Sequence, residues 1–247
     1  MARAPSGSRR SGTRAASGAG AASDSGSNAT GATRDRVIAA FLALLAEKSI
    51  EGIGFAEIAE RAGASLADVR GEFDSTLAIY AAHVKDVDRR VLSGGDGDAA
   101  EESPRERLFD VLMRRLDALA PHKAAVRSLL RSARRNPPLA LALNCTAVRS
   151  QQWMLAAAGI DSAGPGAMLR AQGLAMLYAQ VLRVWVDDED PGLARTMAAL
   201  DRELGRGARW AGLLNDLCRL VPPRCPSLRR RRRGYDEDQG RDAPVTA

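Results

Sequence analysis

Histidine and cysteine are scarce in this 247-residue chain, and each scarcity argues against a class of protein. The two histidines, His83 and His122, have no cysteine or carboxylate at the spacing of a metal ligand, so no metal site is expected. Three dispersed cysteines do not fit a disulfide framework. Apolar runs stay below the roughly 18 residues of a membrane-spanning helix. A soluble, cytoplasmic protein is therefore expected.

Signatures of catalysis are missing as well. The chain has no Gly-x-Ser-x-Gly elbow, no P-loop, no His-Glu-x-x-His and no Gly-x-Gly-x-x-Gly after a strand. We therefore expect a protein that is not an enzyme, with no catalytic residue and no cofactor.

Alanine, leucine and arginine dominate what is present, and no strand-like alternation is sustained, so the sequence predicts an all-α fold. Helices are expected to begin near Thr33, Thr76, Pro104, Pro121, Pro137, Pro165 and Pro191. Gly205 and Gly207 are expected to interrupt the last of them.

Composition divides the chain into four parts. Residues 1–32 form a predicted disordered basic arm, and 33–92 a small helical head. After a Gly- and Asp-rich break at 93–98, residues 104–221 form a larger helical bundle. Residues 222–247 form a predicted disordered, Arg-rich tail.

The head contains the most informative stretch, which runs from Phe55 to Phe73. Ile58, Ala59 and Ala62 form an apolar stripe, Gly63 suits a left-handed helix stop, and Ser65 is placed to cap a second helix. Two short helices joined by such a turn make a helix-turn-helix, whose second helix can enter the DNA major groove.

These residues carry a family resemblance. The run Ile58-Ala59-Glu60-Arg61-Ala62-Gly63-Ala64-Ser65, followed by Phe73-Asp74-Ser75, resembles the TetR family of transcriptional regulators. The resemblance implies a helix-turn-helix head on a larger helical body that dimerises through its last helices and holds an apolar effector. Double-stranded DNA, a second copy of the chain and a small apolar molecule are the implied partners.

The implied DNA-binding surface comprises the recognition helix and the start of the next helix: Ser65, Leu66, Ala67, Asp68, Arg70, Gly71, Ser75 and Thr76. Thr76 stands where the family usually has a phosphate-gripping lysine. Residues 33–92 hold eight Lys or Arg against ten Asp or Glu, so the head is net acidic although the whole chain carries +6. From the recognition helix, only Arg70 is expected to contact a base or a phosphate.

The implied ligand pocket lies in the body and is assigned to Trp153, Met176, Tyr178 and Trp185. The body also allows a second interpretation. The segment 153–159, with Tyr178, Trp185, 188–191, Thr196 and 200–202, also resembles lipid-binding coenzyme-Q biosynthesis proteins that share the TetR fold without using DNA. The amphipathic segment 207–221 is then either a dimer or core face or, with Arg229–Arg233, a helix that binds a membrane surface. Regulation through DNA is the leading hypothesis and a membrane-associated accessory protein the alternative.

Overall fold

The chain folds into α-helices joined by short turns. The computed structural model describes residues 21–94, 102–160 and 165–220, with side chains over 31–94, 102–160 and 166–207. Its helices are α1 (Ala21–Glu47), α2 (Phe55–Ala62), α3 (Leu66–Glu72), α4 (Thr76–Ser93), α5 (Pro104–Leu119), α6 (Lys123–Arg135), α7 (Pro137–Ala157), α8 (Pro165–Trp185) and α9 (Ala194–Leu220). Short 3₁₀ turns occupy Ile50–Gly52 and Ala120–His122. The predicted all-α class is confirmed.

The start of α1 differs from the prediction. The helix begins at Ala21, twelve residues before the expected Thr33. Residues 21–32 contain four alanines, the best helix formers, alongside the Ser and Gly that suggested disorder. The second part of the predicted arm is therefore helical, while residues 1–20 of it lie outside the described residues.

The predicted interruption of the last helix is also wrong. α9 continues through Gly205 and Gly207 from Ala194 to Leu220. A glycine inside a helix costs only about 1 kcal/mol relative to alanine. Leu200 and Leu204, both buried, anchor this part of α9 to its neighbours and offset that cost.

The helix starts follow rules that can be read from local sequence. Ser103 caps α5 in a capping box with Glu106, and Pro104 occupies the first position, where no N–H is needed. Asn136 caps α7 by accepting the Leu139 N–H at 3.1 Å. Gly159, with φ of 70°, follows the end of α7 in the left-handed conformation.

Two apolar clusters fill the interior. The head core lies between α1, α2, α3 and the first half of α4, and it takes in residues of α6 and α7: Val37, Phe41, Leu44, Leu45, Ile58, Val69, Phe73, Ile79, Ala125, Leu129 and Leu139. The body core is built from the second half of α4 with α5, α7, α8 and α9: Val87, Val91, Leu112, Leu116, Met154, Ala171, Tyr178, Val181, Trp185 and Leu200. α4 contributes to both cores.

Polar contacts hold the body helices in register. Arg115 of α5 pairs with Asp88 of α4 in the interior, and Ser150 of α7 donates to the same Asp88 oxygen at 2.8 Å. Asn144 of α7 and Gln172 of α8 exchange two amide hydrogen bonds of 3.0 and 3.1 Å. Loss of either partner of the buried ion pair would leave an uncompensated charge in the interior, so these contacts favour one packing arrangement.

Candidate nucleic-acid interface

The segment from α2 to α3 has the geometry of a helix-turn-helix. Gly63 follows α2 with φ of 58° and ψ of 42°, and the N–H of Ala64 closes the turn on the Ala59 carbonyl at 3.0 Å. Ile58 and Val69 are almost fully buried, which fixes the two helices against the head core. The left-handed residue is a glycine because a Cβ would strain this conformation.

The start of α3 is held by a capping box. Ser65 Oγ accepts the Asp68 N–H at 3.1 Å, while Asp68 Oδ2 accepts the Ser65 N–H at 3.0 Å. Bonds from the Ser65 hydroxyl and backbone lower the pKa of Asp68 below its usual range. Asp68, which the sequence presented as an unhelpful charge on the DNA-facing helix, therefore stabilises the end of that helix.

The predicted DNA-binding residues lie at or near the surface. Ser65, Leu66, Ala67, Asp68, Arg70 and Gly71 are exposed, and Ser75 and Thr76 are half-buried. Leu66 is 55% exposed although it is a large apolar residue at the first position of α3. An apolar side chain at this place suits contact with a thymine methyl group in the major groove.

Arg70 already has a partner. Its Nη1 lies 2.5 Å from Asp74 Oδ1 on the same exposed surface. Such an exposed i,i+4 pair is worth only a few tenths of a kcal/mol, so a phosphate oxygen can compete for the guanidinium. The contact nevertheless lowers the positive charge that Arg70 presents.

Arg36 is a cation near α3 that the sequence argument missed. It is exposed on α1, its Nη2 donates to Thr33 Oγ1 at 3.2 Å, and its charge helps to lower the pKa of Asp68. The exposure of Arg36 could have been predicted from the sequence, because the apolar Val37 and Phe41, which are buried, place Arg36 on the outward face of α1.

The first turn of α4 completes the surface. Ser75 caps this 18-residue helix by accepting the Ala78 N–H at 3.0 Å, and Thr76 is its first residue. The positive end of the helix dipole therefore lies directly after α3 in the chain. A helix N-terminus of this kind favours a phosphate group.

Most of the acidic side chains of the head are engaged by cations. Glu47 pairs with Arg61, Glu57 with Lys48, Asp74 with Arg70, and Asp86 with Arg34 and Arg89. Asp88 is buried against Arg115. Each pair inside the head engages a cation as well, so this pairing leaves the net charge of residues 33–92 unchanged, and of these carboxylates only Asp88 is neutralised by a cation from the body.

The predicted ligand-pocket residues are not brought together. Trp153 and Met176 are 59% and 58% exposed on α7 and α8, whereas Tyr178 and Trp185 are buried in the body core. α7 and α8 each carry more large apolar side chains than one helix face can bury, so some of these side chains are exposed. An interior pocket lined by all four residues is therefore not formed by the described part of the chain.

The interior around Tyr178 is more polar than the sequence suggested. The Tyr178 hydroxyl, Arg115 Nε and Gln151 Oε1 are buried, with no hydrogen-bond partner among the described residues. The Arg115 guanidinium lies 5.7 Å from the centre of the Tyr178 ring. Burial raises the pKa of Tyr178, so its hydroxyl stays protonated.

The two histidines, 39 residues apart in sequence, meet in space. The rings of His83 on α4 and His122 before α6 pack edge to face, with their centroids 5.1 Å apart. Burial lowers the pKa of His83 to about 4, with the nearby His122 adding to the effect, so it is neutral at pH 7. Among the described residues, no group of three or more His, Cys, Asp or Glu is placed to hold a metal ion.

Most of the segments on which the membrane hypothesis depends lie outside the described residues. Residues 221–247, including Arg229–Arg233, lie outside the described residues, and side chains are described only as far as residue 207. Within the described residues, none of the helices combines the length and apolar character needed to cross a bilayer.

This arrangement defines a helical protein with a helix-turn-helix head packed on a larger helical body. The same fold occurs in a TetR transcriptional regulator from Nitrosomonas europaea ATCC 19718 (24% identity, TM-score 0.56, 71% of this chain and 97% of that one). It also occurs in a TetR transcriptional regulator from Rhodococcus sp. RHA1 (22% identity, TM-score 0.52, 71% and 95%). The chain has the TetR-regulator fold. No family profile and no curated protein matches its sequence.

Proposed function

We propose that this protein is a DNA-binding transcriptional regulator and not an enzyme. The observation that supports the proposal best is the first turn of α3, where a capping box holds exposed Ser65, Leu66 and Ala67 in place over a buried Val69. A recognition helix reads bases through the residues of its N-terminal half, so it needs a rigid, exposed start.

Positioning on DNA would come from the neighbouring elements. Arg36 of α1 and the N-terminus of α4 at Ser75 and Thr76 would contact phosphates, and Arg70 would leave Asp74 for a phosphate or a base edge. Leu66 would contact a thymine methyl group. In this assignment residues 33–92 bind DNA and residues 104–221 regulate that binding.

Two further parts of the proposal concern the body. We propose a homodimer formed through α8 and α9, because Leu169 and Met176 are about 60% exposed on one side of α8. We also propose a small effector that reaches the interior at Tyr178 and Trp185. The unpaired Tyr178 hydroxyl and Arg115 Nε favour an effector that combines apolar bulk with a hydrogen-bonding group.

Selection of duplex DNA from a random library by the full-length protein tests the function. The selected duplex should bind with a negative slope of log affinity against log salt of about 0.9 per phosphate contact. Leu66→Asp should weaken binding to the selected duplex at least tenfold, because it adds a charge at the groove and removes the apolar contact. Leu92→Asp, a matched change at an exposed leucine of α4, should leave it unchanged.

Two results would count against this function. If no sequence is enriched and the protein sediments with phosphatidylserine vesicles, the lipid-binding alternative is favoured. If both aspartate variants bind the selected duplex as the wild type does, α3 is not the recognition helix.

A further inference from the structure

An open cleft of about 610 Å³ lies on the side of the molecule, where the end of α1 meets α6 and α7. One wall is formed by Lys48, Ser49 and Glu51, which follow α1. The opposite wall is formed by Arg131 and Arg135 of α6, together with the start of α7. These residues take no part in the DNA-binding surface proposed above.

The cations of the cleft are only partly compensated. Arg131 and Arg135 lie one helical turn apart and are exposed, and among the described residues no carboxylate pairs with either of them. Like charges at this spacing repel each other and destabilise a helix. Arg127, one turn before Arg131, does pair with Asp187, so of these three arginines spaced one turn apart on α6 only the two at the cleft are uncompensated.

The negative charge in the cleft is already committed. Glu51 accepts a bond from Asn136 Nδ2 at 3.3 Å, and its own backbone N–H, Asn136, Ser132 and Ser49 lower the pKa of its carboxyl. Glu51 thus stays ionised and orders the polar side chains around it. Lys48 is paired with Glu57, which does not line the cleft. With Lys48 neutralised by Glu57, Arg131 and Arg135 against Glu51 leave the cleft a net charge of +1.

We propose that this cleft binds a small, multiply charged oxyanion through Arg131 and Arg135. Guanidinium groups present paired N–H donors that match the oxygens of a phosphate or a carboxylate, and charge-assisted bonds of this kind are the strongest in proteins. A bound oxyanion would also relieve the repulsion between the two arginines. The volume of the cleft accommodates a metabolite-sized molecule.

The position of the cleft gives such binding a structural consequence. One wall is formed by the residues that follow α1, and the other belongs to α6, which packs along α1. The buried Ser128 of α6 ties them together by donating to the Lys48 carbonyl at 2.8 Å. An oxyanion held by Arg131 and Arg135 that also accepts a bond from Ser49 on the other wall would bind only when both walls are in place, so it would stabilise this joint by mass action.

Calorimetric titration of the full-length protein with sodium pyrophosphate and, separately, with citrate tests the proposal and distinguishes phosphate from carboxylate ligands. Titration is done at an ionic strength of about 0.15 M, where unspecific attraction is screened beyond ~8 Å. The wild type should bind at least one of the two saturably, at one site per chain. Arg131→Gln combined with Arg135→Gln should weaken this binding at least tenfold, the effect of losing charge-assisted bonds.

Arg134→Gln is the matched control, because Arg134 is exposed on the same helix but does not line the cleft. It should bind as the wild type does. In the wild type, the backbone amide NMR signals that move on titration should include those of Ser49, Ser132 and Asn136. Equal losses for Arg134→Gln, shifts confined to other regions, or no saturable binding of either anion would overturn the proposal. The proposal would also be overturned if the double variant bound DNA more weakly than the wild type and the wild type did not bind either anion.

Discussion

At the scale of single residues, the role of a charge depends on what it contacts and not on its sign alone. Asp68 lies on α3, the proposed recognition helix, yet its carboxylate bonds to Ser65 and closes the capping box. Asp74 pairs with Arg70 beside the same helix. A count of acidic residues registers both as obstacles to DNA binding, whereas the structure makes the first a helix stabiliser and the second a competitor for one arginine.

The pairing of Arg70 leads to a testable gain of function. Asp74→Asn should strengthen DNA binding, because it frees the Arg70 guanidinium and removes one carboxylate near the phosphates. Electrophoretic mobility shifts over a range of salt concentrations should show a slope steeper by up to about 0.9, one phosphate contact. In an Arg70→Gln background, Asp74→Asn should increase the affinity for DNA much less. An equal gain in both backgrounds would mean that Arg70 does not contact DNA.

Phe73 should be the residue that holds α3 against the head. It is 7% exposed and belongs to the head core with Phe41 and Ile58. Phe73→Ala should lower the free energy of unfolding by about 3–5 kcal/mol, the cost of a cavity in a packed core. Phe55→Ala is the control, since Phe55 is 40% exposed and should lose less than about 1 kcal/mol. Urea denaturation measures both, and equal losses would contradict the proposed packing.

At the scale of elements, local signals predicted most of the helix starts. Ser65, Ser103 and Asn136 are caps whose partners lie three residues away, so the sequence alone contains the whole interaction. Contacts between distant segments could not be predicted in this way. The contact of His83 with His122 depends on how α4 meets the turn before α6, and no local pattern encodes that distance.

The same distinction applies to the candidate sites. The helix that carries the proposed recognition surface was predictable because one short motif places Ser65 to Arg70 on one helix. The pocket was not predictable, because the outward position of Trp153 and Met176 depends on how α7 and α8 pack in the body. The cleft at Arg131 was missed for the same reason, since its walls come from residues some 80 positions apart.

The junction between α8 and α9 gives a pH-dependent prediction. The Thr196 hydroxyl and N–H donate to Asp188 Oδ2 at 2.6 and 2.9 Å, and these bonds lower the pKa of Asp188. A lowered folded-state pKa contributes stability that is fully present above the unfolded value of about 3.9 and is lost as the pH falls through the folded value.

Asp188→Asn should therefore lower the unfolding midpoint in urea at pH 7, and its difference from the wild type should shrink as the pH approaches 3. Glu189→Gln, a change at the exposed neighbouring residue, should leave the midpoint near the wild-type value at pH 7. A deficit for Asp188→Asn that is the same at both pH values would show that the carboxylate charge is not what holds this junction.

At the scale of the molecule, the chain boundary at residues 93–98 does not coincide with a boundary in the packing. Ala125 and Leu129 of α6 belong to the head core, whereas Val87 and Val91 of α4 belong to the body core. The head core thus includes one face of α6, and the body core includes one face of α4. Movement of α4 or α6 would alter the packing of both cores, and the proposed regulator, with an effector bound away from DNA, requires coupling of this kind.

The assembly of two copies is the prediction that belongs to this scale. Leu169 and Met176 lie seven residues apart on the outward face of α8, and a large apolar surface of this kind is normally covered by a partner. Leu169→Glu with Met176→Glu should convert a dimer into a monomer at micromolar concentration, because two carboxylates per copy would be buried in a symmetric interface. Light scattering measures the mass, and Leu92→Glu on α4 controls for a general effect of added charge. A wild-type monomer, or an equal mass for all three proteins, would contradict a dimer through α8.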